Sequence, residues 1–570
     1  MIKEKIQKLV LDTTDLLLGD FQVEKPKSDF GDYAVNAAFV LAKKQGRSPT
    51  DIAQELAIKL NDIKPPEIER IEAVGGYVNF FLSASYLKDQ LNEVLKKKDK
   101  YGESNIGNNF EKVIVEYFQN NVAKPPHVGH LRSAVIGDSL LRVFRFLGFD
   151  TISDTHIGDW GTQFGILIYA YKKFIKNGGQ KNQIEENPVN ELNKLYVEVS
   201  DAIEKDPELK ELGKAEFKKL EDGDEENRKL WRWFVDKSLK DFEHYRKILN
   251  LLPFDLNLGE SFYEDKMEPV FDDLKRKGLV VESDGAWIMN LEDAGLGIAI
   301  LKKSDGASTY LLRDLATYIY RKKEFDFYKN LYVVDVRQSH HFDQLFEIVK
   351  RAGYLNEKNI SRHVSFGFMS LPEGAISTRK GNAVSLQNLI DEAEKRALEI
   401  IKEKNPGLKN KEEAAKKVGL AAIKYFDLSH NRKTEFTFEW NKALSFEGNS
   451  GPYLQYAHTR IHGILRKIGK ESSSRIFYEG EIAAPEIKLM RKLIEFPEVV
   501  EEIIHDYMPH ILCNYLFELS QIFNSFYEAM PVMREKDPDR QTFRLGIISA
   551  TAQIIKNGLY LLGIEAPTEM

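Results

Sequence analysis

The sequence predicts an α/β protein built around a doubly wound parallel sheet that carries a helical insertion, with a small α+β domain before the sheet and an all-α bundle after it. Three observations support this fold class. A strand–helix–strand pattern begins at Lys112 and returns after residue 290, charged helical sequence separates its two parts, and no strand alternation follows beyond about residue 400. Strands that alternate with helices favour a parallel sheet, and continuous helical periodicity favours a bundle.

Length and composition limit the class of protein. The 570 residues favour about three or four domains, and 42% hydrophobic with 30% charged residues is a globular balance. No apolar run approaches the ~18 residues of a membrane span, and the opening segment lacks the apolar centre of a secretory signal. Cys513 is the single cysteine, which excludes an internal disulfide and a multi-cysteine zinc site. We therefore expect a cytoplasmic protein with no membrane partner.

Residues 1–105 form the first predicted domain. A helical opening is followed by two helical stretches that Ser48 and Pro49 separate, and IEAVGGYVNFFL then predicts a turn into a strand. The glycine- and asparagine-rich segment LKKKDKYGESNIGNNF is typical of a linker to the next domain.

Residues 106–400 form the second predicted domain. KVIVEYF predicts a strand, HVGHLRSAVIGDSLLRVFRFLG a helix that ends at Gly148, and DTISD a second strand, which together make the first unit of a Rossmann-like sheet. The insertion over residues 170–290 consists of charged helices, whose charges favour a solvated face. Residues 401–570 form the third predicted domain, the helical bundle.

The tetrapeptide HVGH lies between the first predicted strand and helix, at the edge of the sheet where ligands bind. A helix N-terminus offers N–H groups to phosphate, and Gly129 leaves the backbone open to a flat base. His127 and His130 can donate ring N–H groups to phosphate oxygens as negative charge builds there, in either protonation state. The alternative is a pair of histidines that merely cap the helix.

A second segment, SLPEGAISTRKGNAVSL, follows the last predicted strand of the sheet. It combines glycines with Ser377, Thr378, Arg379 and Lys380. Such a segment taken alone is more often a surface turn than a mobile clamp for polyphosphate. Paired with HVGH on the same sheet, it predicts nucleotidyl transfer of the class I type.

The chain resembles the class I arginyl-tRNA synthetase family on five motifs in the same order: NVAKPPHVGHLRSAVIGD, HIGDWGTQFG, KKSDGASTYLLRD, ISTRKGN and GPYLQYAHTRI. The segments FGDYAVNAA and GGYVNFFL resemble its N-terminal domain, and LYLLGIEAPTEM its chain end. The resemblance implies that ATP activates L-arginine to arginyl-adenylate and that the arginyl group passes to the terminal adenosine of tRNA(Arg). ATP is then a substrate that brings Mg²⁺ on its phosphates, and no metal cage, tightly bound cofactor or editing domain is expected. The family's usual condition is a monomer.

Two stretches depart from the family pattern. EYFQNN stands where an EYSSPN-like run is usual, and AISTRKG stands for the KMSKS-type loop, with Thr378 at the place of its second lysine. In the family, a lysine ahead of the first signature can supply the missing charge, and Lys124 occupies that place. The resemblance therefore implies that Lys124, His127 and His130 are the catalytic residues.

Arginine specificity calls for groups that accept the forked hydrogen bonds of a planar guanidinium. Five residues match the family's arginine pocket: Glu116, Asn121, Tyr310, Asp314 and Gln338. Structural roles are alternatives for each of them. Asp314 could pair with Arg313 or cap its helix, and Tyr310 could lie in the core.

Three tyrosines match family positions near the tRNA anticodon loop, where splayed bases stack on aromatic rings. Tyr453 and Tyr456 are three residues apart and so share a helical face, and Tyr527 lies in a later helix. A tyrosine stripe in a helical bundle is as often part of the core as part of an RNA-binding surface. The resemblance also implies that tRNA must be present before arginine is activated.

Three other functions compete with this interpretation: a synthetase for another amino acid, a paralogue that has lost one step, and an RNA-binding scaffold with a vestigial HVGH. The acidic pocket argues against the first of these. The phosphate motifs argue against the second.

Overall fold

A computed structural model describes residues 2–26, 30–108, 111–175, 178–355, 358–371, 385–469 and 476–570. The α-helices are, in chain order, α1 (Ile2–Thr13), α2 (Ala37–Gln45), α3 (Pro49–Ile63), α4 (Ala84–Lys97), α5 (Val128–Phe146), α6 (Thr162–Phe174), α7 (Gly178–Glu186), α8 (Pro188–Lys205), α9 (Glu208–Glu221), α10 (Glu225–Ile248), α11 (Glu264–Arg276), α12 (Tyr310–Phe325), α13 (Ser339–Arg351), α14 (Leu386–Lys404), α15 (Lys411–Leu428), α16 (Trp440–Ala443), α17 (Gly451–Ile468), α18 (Ala484–Ile494), α19 (Phe496–Asp506), α20 (His510–Ala529) and α21 (Pro538–Leu561). The strands are β1 (Val23–Glu24), β2 (Tyr33–Val35), β3 (Ile68–Val74), β4 (Tyr77–Leu82), β5 (Lys112–Glu116), β6 (Asp150–Asp154), β7 (Val281–Ser283), β8 (Ala286–Asn290), β9 (Ile298–Lys302), β10 (Lys329–Tyr332), β11 (Ile360–His363), β12 (Met369–Ser370) and β13 (Phe436–Thr437). Within the described ranges, no helix has the length and apolar character that a bilayer crossing requires.

The chain folds into two compact units. The first comprises Met1–Tyr101, Arg460–Pro497 and Glu518–Asn557. The second comprises Gly102–Thr459, Glu498–Phe517 and Gly558–Met570.

The first unit contains an antiparallel sheet with strand order β1-β2-β4-β3. The turn between β3 and β4 is made by Gly75 and Gly76, which both have positive φ (58° and 94°), the conformation that a two-residue hairpin loop requires. A side chain at Gly76 would also come within 2.8 Å of the Phe39 ring. The sheet and its helices confirm the α+β class predicted for this part of the chain.

The second unit contains a parallel sheet with strand order β11-β10-β5-β6. The register aligns the last residues of all four strands in one row, so that Asp154, Glu116, Tyr332 and His363 end together. The chain leaves β5 in one direction to form β6 and later returns on the other side of β5 to form β10. This reversal confirms the predicted doubly wound sheet and creates a crevice at the carboxyl edge between β5 and β10.

Helix α5 fixes the geometry at that edge, because it is buried along almost its whole length. The Arg132 guanidinium is fully buried, with Nε 3.0 Å from Asp427 Oδ2 on α15. Its Nη1 donates a hydrogen bond of 2.6 Å to the Gly367 carbonyl. Removing one member of a buried ion pair typically costs ~3–5 kcal/mol, so the pair holds α5 firmly against α15, and the Gly367 contact ties it to the segment that follows β11.

The insertion differs from the prediction in one respect. Helices α6, α8 and α10 share an apolar core that includes Phe164, Leu192 and Phe234, as the helical pattern predicts. The segment at its end, however, forms an antiparallel three-stranded sheet, β7-β8-β9, which the helical prediction missed. Asp284 and Gly285 join β7 to β8 with positive φ at both residues (49° and 76°). An Asp-Gly pair between apolar residues is a strong hairpin signal, and it was available in the sequence.

Candidate active site

A cleft of about 640 Å³ opens at the carboxyl edge of the parallel sheet in the second unit. Its walls come from the ends of β5 and β10, the loop after β6, and the N-terminal turns of α5, α12 and α13. The structure brings eight of the residues predicted from the sequence into this lining: Glu116, Asn121, His127, Gly129, His130, Tyr310, Asp314 and Gln338.

Lys124 is not part of this lining as the described residues form it. Lys124 is half-buried, and its Nζ lies 4.9 Å from the centre of the Tyr196 ring on α8. Burial lowers the pKa of Lys124. Four other predicted residues, Ser377, Thr378, Arg379 and Lys380, lie outside the described residues.

The two histidines of HVGH cap α5 through their Nδ1 atoms. His127 Nδ1 accepts a hydrogen bond of 3.0 Å from the Gly129 N–H, and His130 Nδ1 accepts one of 3.0 Å from the His127 N–H. The centres of the two imidazole rings lie 3.9 Å apart. A neutral imidazole whose Nδ1 accepts must carry its proton on Nε2, so both rings present an Nε2–H donor. The capping role and the phosphate-binding role therefore use different atoms of the same rings and do not exclude each other.

The protonation state of the pair, which the sequence left open, follows from burial. Burial lowers the pKa of His127 to about 4, and the nearby Arg337 charge adds to the effect. Burial and the neighbouring His127 hold the pKa of His130 well below its ordinary value. Both imidazoles are neutral at pH 7 and act as hydrogen-bond donors rather than as cations.

Gly129 is required by close packing within the pair. A Cβ at this position would come within 2.8 Å of the His127 ring. The sequence suggested that Gly129 opens the backbone to a flat base. The contact with His127 provides a reason for glycine that does not depend on a ligand.

Glu116 is part of a buried charge triad under the cleft. Arg321 Nη2 lies 2.6 Å from Glu116 Oε2 and 2.8 Å from Asp154 Oδ2, and all three side chains are buried. A guanidinium between two carboxylates neutralises much of their charge. Glu116 can therefore still accept hydrogen bonds, but Arg321 already offsets its negative charge. Arg321 could have been found from the helical spacing, because it follows Asp314 by seven residues, two turns later on α12.

Asp314 carries its charge into the cleft. It is not paired with Arg313, because that guanidinium turns to Glu260 and Glu264, at 3.1 Å from each. It does not cap α12, whose N-cap is Thr309. His341 Nε2 lies 2.5 Å from Asp314 Oδ2. Burial acts to raise the pKa of Asp314, but the hydrogen bond from His341 and nearby positive charge hold it below its ordinary value, so the carboxylate is ionised.

The remaining predicted arginine-pocket residues are exposed. The Tyr310 side chain, at the start of α12, is 66% exposed, which excludes the core role. Gln338 ends a short 3₁₀ helix after β10, and Asn121 faces Gly158. A side chain at Gly158 would come within 2.1 Å of Asn121 Oδ1, so the glycine makes room for the asparagine.

The cleft also contains residues that sequence reasoning missed: His156, Glu260, Arg337 and His341. Burial raises the pKa of Glu260 to about 7, although its carboxylate faces Arg313. Arg337 is held by Asp335 through hydrogen bonds of 2.8 and 2.9 Å and places a cation at the side of the cleft where His127 lies. Three of the four lie in or near segments that the sequence analysis used: His156 begins HIGDWGTQFG, and Arg337 and His341 flank Gln338 in VVDVRQSHH. Glu260 lies inside the predicted insertion, between α10 and α11.

The three tyrosines assigned to the anticodon loop differ in exposure. In the second unit, Tyr456 is 45% exposed, which excludes a core role, and half-buried Tyr453 has its ring 5.7 Å from that of Phe517. In the first unit, half-buried Tyr527 lies 4.8 Å below the Arg460 guanidinium. An arginine next to an accessible aromatic ring is typical of surfaces that bind single-stranded nucleic acid.

Known proteins match the chain along its whole length. Family models match in three parts: an arginyl tRNA synthetase N-terminal domain over residues 1–82, a class I (R) tRNA synthetase catalytic domain over 90–440, and a DALR anticodon binding domain over 454–570. The arginine–tRNA ligase of Clostridium botulinum is 42% identical over 100% of both chains, and that of Lactococcus lactis is 44% identical over 96% of this chain and 95% of its own.

Solved structures agree with these matches. The arginyl-tRNA synthetase of Thermus thermophilus superposes with a TM-score of 0.84 at 28% identity, covering 100% of both chains. The Plasmodium falciparum arginyl-tRNA synthetase gives 0.81 at 28% identity, covering 100% of this chain and 99% of the other. A catalytic-domain model that matches more than half of the sequence, together with relatives of over 40% identity along its full length, shows that this chain belongs to the class I arginyl-tRNA synthetase family.

Proposed function

We propose that this protein is an arginine–tRNA ligase. It activates L-arginine with ATP to arginyl-adenylate and pyrophosphate, and it then transfers the arginyl group to the 3′-terminal adenosine of tRNA(Arg) with release of AMP. One observation carries the proposal: a single cleft brings the ionised Asp314 carboxylate together with the neutral His127 and His130 at a helix N-terminus. The first suits a guanidinium and the others suit phosphate.

In the first step the arginine carboxylate attacks the α-phosphorus of ATP. A new carboxylate oxygen–phosphorus bond forms as the bond to the leaving pyrophosphate breaks. No protein nucleophile takes part, so the protein contributes positioning and electrostatic stabilisation. The Nε2–H groups of His127 and His130 donate to phosphate oxygens as their negative charge increases. Neutral donors suit this task, because they stabilise the transition state without binding ATP or pyrophosphate as tightly as fixed cations would.

The other side of the cleft selects the amino acid. Asp314 accepts hydrogen bonds from the guanidinium, and Glu116, Tyr310 and Gln338 supply further polar contacts. Glu260 also lines the cleft, but it is engaged by Arg313 and its pKa of about 7 leaves it only partly ionised at neutral pH. A site built on such acceptors rejects analogues without the donors by ~10⁴ or more, which is why no editing domain is needed.

Magnesium is part of the ATP substrate in this proposal. The groups at the phosphate side of the cleft are the imidazole donors and the Arg337 cation, and the nearby Asp335 carboxylate is engaged by Arg337. These residues suit phosphate oxygens better than a metal ion, so Mg²⁺ is held by ATP and water. We place the enzyme in the cytoplasm as a monomer.

Amino-acid and tRNA dependence test the function. With the full chain, ATP–pyrophosphate exchange should occur with arginine, and not with the other amino acids, once tRNA(Arg) is added. It should be negligible with arginine and ATP alone, because docking of the anticodon loop on Tyr453 and Tyr456 anchors the tRNA and its acceptor end completes the site by induced fit. Tyr456→Ala should then weaken activation at low tRNA concentration, and saturating tRNA should restore it.

The outcomes of this assay are separable. Exchange with arginine in the absence of RNA would refute the coupling but leave the ligase assignment intact. Exchange with a different amino acid would replace arginine as the substrate. No exchange with any amino acid, together with tight tRNA binding, would favour the RNA-binding scaffold.

Lys124→Ala should reduce kcat far more than it raises the KM for arginine, because a mobile charge near the α-phosphate matters most in the transition state. Adding Thr378→Lys should restore activity if the two positions supply the same charge. Single-turnover adenylate formation measures both effects.

The contact between Lys124 and Tyr196 defines the control for this prediction. Tyr196→Leu removes the ring under Lys124 and leaves its charge in place. If Tyr196→Leu reproduced the loss, or if only the KM changed in Lys124→Ala, the catalytic role of Lys124 would be rejected.

A further inference from the structure

The Asp314 carboxylate lies between two imidazoles. His341 Nε2 is 2.5 Å from Oδ2, which is a short hydrogen bond, whereas His156 Nε2 is 3.8 Å from Oδ1, which is beyond hydrogen-bond distance. Asp314 lies in the second turn of α12 and His341 in the first turn of α13. The contact therefore joins two elements that the chain connects only through β10.

The His341 contact determines the orientation of the carboxylate. Among the described residues, the hydrogen bond from His341 is the only one that the Asp314 side chain receives. The terminal torsion of an aspartate is broad, so an unsupported carboxylate would rotate and present its oxygens in many directions. A hydrogen bond of 2.5 Å to Oδ2 restricts the rotation of the group and leaves Oδ1 on the side of His156, which also lines the cleft.

His341 is itself well supported. Its ring meets the edge of the Phe342 ring at 5.5 Å, and Phe342 stacks on His363 at 4.5 Å, at the end of β11. The same stretch of chain places Gln338 three residues earlier, at the N-cap of α13. The start of α13 thus carries both the Gln338 amide, which lines the cleft, and the His341 imidazole, which bonds to the Asp314 carboxylate.

We propose that His341 is a positioning residue for arginine recognition, which orients the Asp314 carboxylate so that its free oxygen meets the substrate guanidinium. This rests on the proposed function, because the guanidinium is the ligand of that function. A binding group must be held within about 0.5 Å and 10–20° of its productive geometry by residues whose own conformations are fixed. His341 meets that requirement for Asp314.

The test uses tRNA-dependent exchange with arginine titrated over the full chain and its variants. His341→Leu should raise the KM for arginine about 10-fold with kcat changed less than about threefold, because a hydrogen bond to a charged group is lost. His341→Gln, whose side-chain amide can occupy the place of Nε2, should recover most of the affinity. His341→Asn, whose amide does not reach that place, should behave like the leucine variant and provides a polar substitute if the leucine variant folds poorly.

A matched control lies one residue away. His340 is exposed and is not part of the cleft lining formed by the described residues. His340→Leu makes the same chemical change on the same helical turn, and it should leave the KM for arginine unchanged. An equal effect at both positions would mean that the substitution disturbs α13 in general, and this would overturn the proposal.

A double-mutant cycle distinguishes positioning from a separate role. If His341 acts through Asp314, then His341→Leu should change the KM less than about twofold in an Asp314→Ala background, which removes the hydrogen-bond acceptor, because coupled residues are not additive. The full 10-fold effect in that background, or an unchanged KM in His341→Leu alone, would overturn the proposal. Failure of the proposed function is distinct, since the unmodified chain would then show no exchange with arginine.

Discussion

His127→Ala and His130→Ala should each lower the rate of arginyl-adenylate formation by ~10² or more, the loss expected when one donor to a developing negative charge is removed. In the proposed mechanism the neutral imidazoles donate their Nε2–H groups to phosphate oxygens of ATP, so their loss raises the barrier to attack by the arginine carboxylate. Single-turnover measurement of adenylate formation, with tRNA present, isolates this step from product release.

Separating catalysis from helix capping needs variants that keep the cap. His127→Asn retains an acceptor at the N-cap of α5, and His130→Gln retains one at the third helical position, where glutamine completes a capping box. Both variants lack the Nε2–H donor. They should melt at the temperature of the unmodified chain and remain as inactive as the alanine variants. Normal turnover in both would show that the histidines only cap the helix.

Asp314→Asn should weaken arginine binding by ~1.5–3 kcal/mol, because it keeps the shape of the side chain but removes the charge that faces the guanidinium. Discrimination against citrulline, the neutral analogue of arginine, should fall in parallel. Isothermal titration calorimetry with each amino acid, in the presence of tRNA and a non-hydrolysable ATP analogue, measures both quantities.

The hydrogen bond between Asp314 and His341 supplies the competing explanation. If arginine affinity were unchanged while the melting temperature fell, Asp314 would be a structural partner of α13 and not part of the arginine pocket. Asparagine keeps an oxygen that can accept the His341 N–H, so we expect the melting temperature to change little.

The main features of the fold and of the cleft could be predicted from the sequence because they depend on regular geometry. Parallel strands end at one edge of a sheet, so the positions of Glu116 at the end of β5 and of Gln338 after β10 follow once the strands are identified. Asp314, on the helix before β10, reaches the same edge. The resemblance to the family identified these residues, and the strand–helix pattern places them at one edge of the sheet.

Side-chain direction and the path of the insertion could not be predicted in this way. Arg313 and Asp314 are adjacent on α12, but their side chains leave the helix in different directions. Arg313 pairs with Glu260 and Glu264, whereas Asp314 bonds to His341. Glu260 reaches the cleft because the chain returns to the sheet within the predicted insertion, where Leu256 pairs with Asp154, and helical periodicity does not give that path.

Charge states also required the structure. The sequence allowed neutral or cationic histidines in HVGH, and it could not show that Arg321 neutralises Glu116. Both depend on burial, which local sequence does not determine. The cleft therefore contains one carboxylate that is neutralised by a buried guanidinium, Glu116, and one that is ionised and hydrogen-bonded only to an imidazole among the described residues, Asp314.

A crystal structure of the full chain with L-arginine and a non-hydrolysable ATP analogue tests the central claim most directly. We predict that the guanidinium lies within hydrogen-bond distance of Asp314 Oδ1, and that phosphate oxygens lie within hydrogen-bond distance of Nε2 of His127 and of His130. Arginine bound away from Asp314, or a triphosphate that contacts neither imidazole, would contradict the assignment of this cleft.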